Sequence, residues 1–517
     1  MLVLQDRKAL VLTLNNPERV VGAVPGAQVV HAANGNSAVV VPHETDTVHI
    51  LNNLGIETPS PILYHYDWPG EFTPYEHQIE TSNFLCKHRK CLVLNEIGTG
   101  KTHSALWAAD YLMREGVVKK TLIVSPLSTL ERVWHDAIFK GFLNRKAVVL
   151  HGTAARRRKL LATDVDFYII NHDGFNILSD DMLDMFDLVI VDEAAVLRNP
   201  SANRYRIFKK WMDKHPSIRL WLMTGTPTPN EPTDAWTLSK LVDSPYTTTT
   251  YTAFKNLTMF KLKQYTWLPR VDSAETVFNT LQPSIRFSRD ECFDLPPTIF
   301  QTRQVDLSAE QRNTYDAMMK KFVASSDSGE VITAVNEAVK MQKLVQIACG
   351  VAYSEDGDDI LLDASPRIKV LKEVIKEAGE KVIVFVPLTG TLHMIEKELS
   401  KITTVGVVNG QVSSTKRNKI FHDFQESKDP QVLLAHPQCM AHGLTLTAAS
   451  TVVWYGPITS NEQYVQANGR IERIGKRHSS NVVHIQATKL EAFMYQRLKN
   501  KQKMQGVLLD LVEQQKA

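Results

Sequence analysis

Residues 91–102 read Cys91-Leu92-Val93-Leu94-Asn95-Glu96-Ile97-Gly98-Thr99-Gly100-Lys101-Thr102. Four apolar residues run into a short loop with two glycines, and the loop closes on Lys-Thr. A buried strand, then glycines, then a helix start is the order of a phosphate-binding loop. The glycines let backbone N–H groups approach phosphate oxygens, and the open end of the next helix adds donors and a favourable dipole. Gly98, Thr99 and Gly100 form the cradle, Lys101 reaches the β- and γ-phosphates of ATP, and Thr102 offers its hydroxyl to Mg²⁺. Asn95 stands where the full pattern has Gly.

Working outward, the strand at 91–94 is one of a series. Thr121–Val124, Phe167–Ile170, Leu188–Val191 and Leu220–Met223 are further short apolar runs, with helical stretches or loops between them. Runs apolar on every position fit parallel strands buried on both faces, which predicts a doubly wound α/β lobe. A second α/β series begins near Ser365, with runs at Val382–Val386, Thr404–Val408, Val432–Leu434, Thr451–Trp454 and Val482–Ile485. Between them, 244–271 has no acidic residue and mixes Lys255, Lys261, Lys263 and Arg270 with Tyr246, Tyr251, Phe254, Phe260, Tyr265 and Trp267, and 308–350 reads mainly as helix. Ahead of the first lobe, Ala9–Leu14 and Ala38–Pro42 read as strands and Val48–Gly55 as a short helix closed by Gly55. The expected division is a small N-terminal α+β module at 1–65, a first lobe at 66–243, an insertion with helical protrusions at 244–364, and a second lobe at 365–517.

Two further sites bear on the nucleotide. Asp192-Glu193 ends the run 188–191, so Asp192 is placed to hold Mg²⁺ and Glu193 to act as general base on the attacking water. An isolated Asp-Glu pair also suits an ordinary solvated turn. Near the end of the chain lies Gln466-Ala467-Asn468-Gly469-Arg470-Ile471-Glu472-Arg473. Arg470 and Arg473, three apart, share a face if the segment is helical. Two guanidiniums there suit charge developing on a γ-phosphate, as arginine fingers do, although two arginines alone also fit a solvated basic helix.

Composition sets the frame. The chain has 517 residues, 43% of them hydrophobic and 22% charged, with a net charge of +3. That is the balance of a soluble globular protein of several domains, and a charge so close to neutral does not by itself indicate a polyanionic partner. The five cysteines form no Cys-x-x-Cys pair, which fits free thiols in a reducing compartment and gives no zinc signal. No apolar run approaches the length of a membrane span, and charges break the N-terminus too early for a secretory signal, so a soluble intracellular protein is expected.

Taken together, and over roughly residues 70–512, these motifs resemble superfamily-two helicases, and within them the Swi/Snf-like DNA translocases. Pro74-Tyr75-Glu76-His77-Gln78 looks like the adenine-reading segment, with Gln78 as the base contact. Ser125-Pro126 through Trp134 is similar to the next motif, and Thr224-Gly225-Thr226-Pro227 with Asn230 to the coupling motif. Leu295-Pro296-Pro297, then Leu307–Gln311 and Tyr315, resemble the junction of the lobes, and Ser365–Leu371 followed by Lys381–Phe385 the opening of the second one. Gly443–Ala449 and then Gln466, Gly469, Arg470 and Arg473 match the late motifs. The resemblance implies two RecA-like lobes, ATP and Mg²⁺, and Gln466 among the nucleotide contacts. Two departures stand out. The family usually has His where Ala195 stands, and its Asp-Pro-x-Trp-Asn-Pro is replaced by Gly456-Pro457-Ile458-Thr459-Ser460-Asn461.

The resemblance also implies double-stranded DNA, tracked through its phosphates with little reading of sequence. Ser125, Thr224 and Thr445 near motif ends, and Lys255, Lys261 and Lys263 in the acid-free insertion, are the candidate contacts. The aromatics of that insertion suit packing into the first lobe equally well. Arg156-Arg157-Arg158-Lys159 reads as a solvated helix face. In the N-terminal module, Ala23–Ala27, a turn at Asn34-Gly35-Asn36 and Leu51–Gly55 loosely resemble the HARP-type recognition module of annealing helicases. The function expected is an ATP-dependent translocase or remodeller of duplex DNA, acting at branches or forks or in strand annealing. A strand-separating DNA or RNA helicase and an ATP-gated clamp without processive motion are the alternatives.

Overall fold

In the computed structural model the run at 91–94 becomes the strand Lys90–Val93, and Lys101 opens the helix Lys101–Arg114. The structure describes residues 1–498 apart from 5, 7, 32–36, 179, 181–184, 264–265, 294–297, 328–333, 354–358, 441–445 and 472–478. Two units are distinguished. Among the described residues, the first takes in Met1–Met259 and Pro269–Cys292, the second Phe260–Leu268 and the described residues from Phe293 to 498.

The first unit is built on a seven-stranded sheet in the order Ser284–Ile285, Lys90–Val93, Arg219–Met223, Leu188–Asp192, Thr121–Ser125, Phe167–Asn171, Ala147–Val149. Every pairing is parallel. Because successive side chains point to opposite faces, each central strand feeds two cores. Leu92, Leu122, Val189 and Leu222 pack on one side and Val93, Ile123, Ile190 and Met223 on the other, all buried. The apolar runs are continuous for this reason: helices cover both faces, so no position needs a polar residue. The register aligns the strand ends. Met223 lies opposite both Val93 and Asp192, and Val191 opposite Val124, so the loops that follow these strands leave from one edge.

The second unit carries a six-stranded sheet, ordered Thr298–Gln304, Ser480–Gln486, Ala449–Trp454, Lys381–Phe385, Val432–Ala435, Val405–Val408, and again parallel throughout. The expected α/β class with two parallel-sheet lobes is therefore the observed one. The helices Ala309–Asp327 and Ala334–Ala348 occupy the stretch read as helical. In the insertion, Thr250 caps the helix Tyr251–Thr258, Phe254 is buried in the first unit's core, and Met259–Lys263 pairs with Thr266–Pro269. Leu295, Pro296 and Pro297 lie outside the described residues.

The N-terminal residues form a four-stranded antiparallel sheet, ordered Leu2–Leu4, Ala9–Leu12, Ser37–Pro42, Gln28–His31. Leu10, Leu12, Val39 and Val41 pack under Val20, Val24 and Leu51, which come from the helices Glu18–Ala23 and Thr45–Asn53 and the residue that caps the first of them. The turn at Asn34–Asn36 lies outside the described residues. Among the described residues no helix is long and apolar enough to cross a membrane.

Candidate nucleotide-binding site

The loop after Lys90–Val93 is shaped by its glycines. Gly98 and Gly100 have φ of 91° and 81°, in the region where a side chain is strained. At Gly100 space forbids one as well, since a Cβ would stand 2.0 Å from Gln78 Nε2. Gln78 and His77 both donate to the Thr99 carbonyl, at 3.2 and 2.9 Å, while Gln78 Oε1 accepts the Tyr75 N–H at 3.0 Å. The Gln78 amide thus spans the phosphate loop and the start of the helix Glu76–Lys87. Thr102 is the second residue of the helix Lys101–Arg114, whose first-turn N–H groups face the loop. Lys101 Nζ donates to the Asn95 and Glu96 carbonyls at 2.8 and 3.0 Å. A left-handed glycine pressed against a glutamine, a helix start and a lysine folded back on the loop are the parts a triphosphate requires, so the residues present fit ATP.

Asp192 ends its strand within range of Lys101. Burial raises its carboxyl above the usual range, and the Lys101 charge pulls it back, helped by Trp134 Nε1 at 3.1 Å and the Glu193 N–H at 3.1 Å. A carboxylate oxygen is the kind of donor a hard divalent cation takes, and Asp192 ends its strand at the sheet edge from which the phosphate loop leaves. His172 Nε2 donates to the Asp192 carbonyl at 2.9 Å, and burial pushes its imidazole down to about 4, so it is neutral at physiological pH. Glu193 has φ 51° and ψ 49°, a left-handed conformation that a glutamate adopts at a cost of about 1–2 kcal/mol. Ala194 and Ala195 follow in a short 3₁₀ turn, both fully buried, and Arg198 Nη1 donates to the Ala195 carbonyl. A methyl fills the place where the family's imidazole is expected.

Other predicted residues distribute as follows. Ser125 and Thr224 reach the same sheet edge but are fully buried, Ser125 Oγ accepting from Thr129 Oγ1 and Thr224 Oγ1 from the Thr226 N–H. The exposed residues that follow them are Leu127, Ser128 and Asn230. Lys255 is half-buried on Tyr251–Thr258, and Lys261 is exposed on Met259–Lys263. Gln466 and Arg470 belong to the second unit, both buried, at the end of the helix Asn461–Asn468, with the Arg470 carbonyl accepting the Leu446 N–H. Thr445, Arg473 and the side chain of Lys263 lie outside the described residues. Arg157, expected on a solvated face, is buried and donates to the carbonyls of Leu150 and Gly152 and to Asn171 Oδ1, while Arg156, Arg158 and Lys159 are exposed.

Glu96 and Arg286 carry no role in any sequence motif yet meet beside the phosphate loop. Arg286 Nη2 meets Glu96 Oε1 at 3.0 Å, and the Arg289 N–H meets Glu96 Oε2 at 2.9 Å. No local pattern announces a pair so far apart in the chain.

A model for the SNF2-related domain matches residues 43–350, and one for the helicase conserved C-terminal domain matches 366–475. The protein p41 of Acyrthosiphon pisum secondary endosymbiont phage 1 is 27% identical over 471 residues, covering 86% of this chain and 99% of p41. Human DNA annealing helicase and endonuclease ZRANB3 is 26% identical over 444 residues, covering 82% of this chain. The chain spans 39% of ZRANB3's length and nearly all of p41's. The Sulfolobus solfataricus SWI2/SNF2 ATPase core, solved in complex with dsDNA, aligns over 86% of this chain and 96% of its own at 19% identity, with a TM-score of 0.40.

Proposed function

Because the chain belongs to the SNF2-related family and is an ATP hydrolase of superfamily two, we propose that it is a translocase that moves on double-stranded DNA at the expense of ATP. The observation that carries this reading is the gathering, at one edge of one parallel sheet, of the phosphate loop, Lys101, Asp192 and Glu193. A second RecA-like sheet then follows in the same chain.

In this reading Gly98–Thr102 bind the triphosphate. Lys101 exchanges the Asn95 and Glu96 carbonyls for phosphate oxygens, which offer its ammonium charged acceptors in their place. Thr102 and Asp192 would hold Mg²⁺, which would supply positive charge to the phosphate oxygens. Glu193 takes the proton of the attacking water, its left-handed backbone fixing where the carboxylate points. Gln78 is the base contact and Gln466 a further nucleotide contact. Arg470 and Arg473 are assigned to neutralise charge developing on the γ-phosphate. Ser125, Thr224, Thr445, Lys255, Lys261 and Lys263 are assigned to the duplex track, Ser125 and Thr224 shaping it from beneath the surface.

Residues 1–65, which form their own four-stranded sheet with its own small core, are proposed to direct the motor to forks or junctions. Deleting them should abolish a preference for junctions and spare ATPase stimulated by duplex DNA; a preserved preference refutes the assignment. The test of the whole reading is ATPase rate with no nucleic acid, single-stranded DNA, duplex DNA, forked DNA and RNA in parallel. Stimulation by duplex and forked DNA above the other three is expected. Equal rates throughout, or a response to RNA alone, would rule the reading out.

A further inference from the structure

The chain passes from the first unit to the second at Cys292–Phe293. The stretch that precedes this crossing is zipped onto the phosphate loop. Ser284–Ile285 is the edge strand beside Lys90–Val93. Beyond it the Leu94 N–H donates to the Ile285 carbonyl at 2.8 Å, and the Glu96 N–H to the Phe287 carbonyl at 2.9 Å. The Phe287 N–H returns a bond to Asn95 Oδ1 at 3.0 Å. The Glu96 carboxylate then takes one bond on each oxygen, from Arg286 Nη2 and from the Arg289 N–H. Arg286 is buried, with its side chain 3% exposed, whereas Glu96 is 36% exposed. On its other side Glu96 offers its carbonyl to Lys101 Nζ at 3.0 Å and to Thr99 Oγ1 at 2.9 Å. One residue therefore touches the phosphate-reading lysine with its backbone and the departing chain with its side chain.

We propose that Glu96 and Arg286 form a coupling strut, positioning residues that carry the state of the phosphate loop to residues 284–291 and so to the chain entering the second unit. This rests on the ATP-driven reading above. When Lys101 turns to a phosphate it gives up its bonds to the Asn95 and Glu96 carbonyls, and the peptide between them is released from one side. On the other side it stays tied, through a carboxylate held at both oxygens and through backbone bonds to Phe287. Charge-assisted bonds with fixed geometry transmit a displacement that loose packing would absorb. A purely architectural role, neutralising a buried arginine, predicts lower stability and nothing else.

The experiment uses the full chain as wild type, Glu96→Gln and Arg286→Lys. Glutamine keeps the volume of Glu96 at its half-buried position and accepts at one atom instead of two. Hydrogen exchange of the amides of 284–292 is read with and without a non-hydrolysable ATP analogue, and triplex displacement is read against phosphate release on duplex DNA. In wild type the analogue should change exchange across 284–292. In Glu96→Gln that change should shrink, with roughly 3- to 30-fold more ATP hydrolysed per displacement event. An exchange response absent from wild type, or undiminished in Glu96→Gln, overturns the strut. An intact, variant-sensitive exchange response in a wild type that displaces no triplex leaves the strut standing and removes the translocase reading instead.

Discussion

Glu193 shows what a single residue contributes. A glutamate held left-handed at the end of a buried strand is strained, and such strain is kept where geometry serves chemistry. Glu193→Gln should bind nucleotide normally and lose about 10²–10⁴-fold in turnover. Nucleotide binding and single-turnover phosphate release measure this, and normal turnover would end its assignment as general base. His172 gives a pH dependence. In the unfolded chain its imidazole takes a proton near pH 6.5, but in the folded protein burial delays this to about 4. Protons therefore favour the unfolded chain in that window, so the site's stability is complete above about 6.5 and falls as pH drops towards 4. At pH 5 the loss should be about 1–2 kcal/mol, seen as a lower denaturant midpoint that His172→Gln flattens. His43, His88 and His103 are shifted the same way by burial and add to the slope. Lys101, Thr102, Asp192 and Glu193 stand out as candidates because each sits in a short local pattern, and the sheet register brings the loops that carry them to one edge. Glu96 and Arg286 do not, since only the folded sheet brings them together.

Among elements, strands buried on both faces were the most legible, because a short run apolar at every position has to be covered on both sides. Ala147–Val149, Ser284–Ile285 and Thr298–Gln304 were missed. The first two are very short, and all three lie at sheet edges, where one side meets solvent and the apolar signal fades. The Ser308–Gln311 segment, noticed for its resemblance, proves to be a capping box. Ser308 Oγ accepts the Gln311 N–H and Gln311 Oε1 the Ser308 N–H. The Gln311 amide also donates to the carbonyls of Ile347 and Ala348, so it ties the ends of two helices together. Gln311→Ala should cost about 2–3 kcal/mol, measured by denaturant unfolding, because it strands buried partners as well as removing a cap. Within the second unit, buried Arg367 pairs with buried Glu491 at 2.6 Å, and Glu491 also accepts the N–H groups of Ala487 and Thr488. Glu491→Ala should destabilise that unit by about 3–5 kcal/mol, since it leaves a guanidinium buried without its counter-charge. A loss below about 1 kcal/mol would mean the pair is dispensable.

For the whole molecule, the order of motifs along the chain carried more than any one of them. The phosphate loop and Asp192-Glu193 lie in the first unit and Gln466 and Arg470 in the second, and the family match spans both. Arg470→Ala and Arg473→Ala should each slow hydrolysis with little change in nucleotide affinity, and an unchanged rate in both would remove the arginine pair from the mechanism. A track for nucleic acid is the feature a sequence marks least, because phosphate contacts are made by scattered hydroxyls, amides and lysines that follow no period. ATP hydrolysis is proposed to move this protein along duplex DNA. Displacement of a third strand from a triplex, with duplex on one side for loading, tests it most directly. Wild type with ATP should release the strand, and Lys101→Ala, or wild type without ATP, should leave it in place. Brisk hydrolysis on the same duplex with the triplex intact would contradict the account.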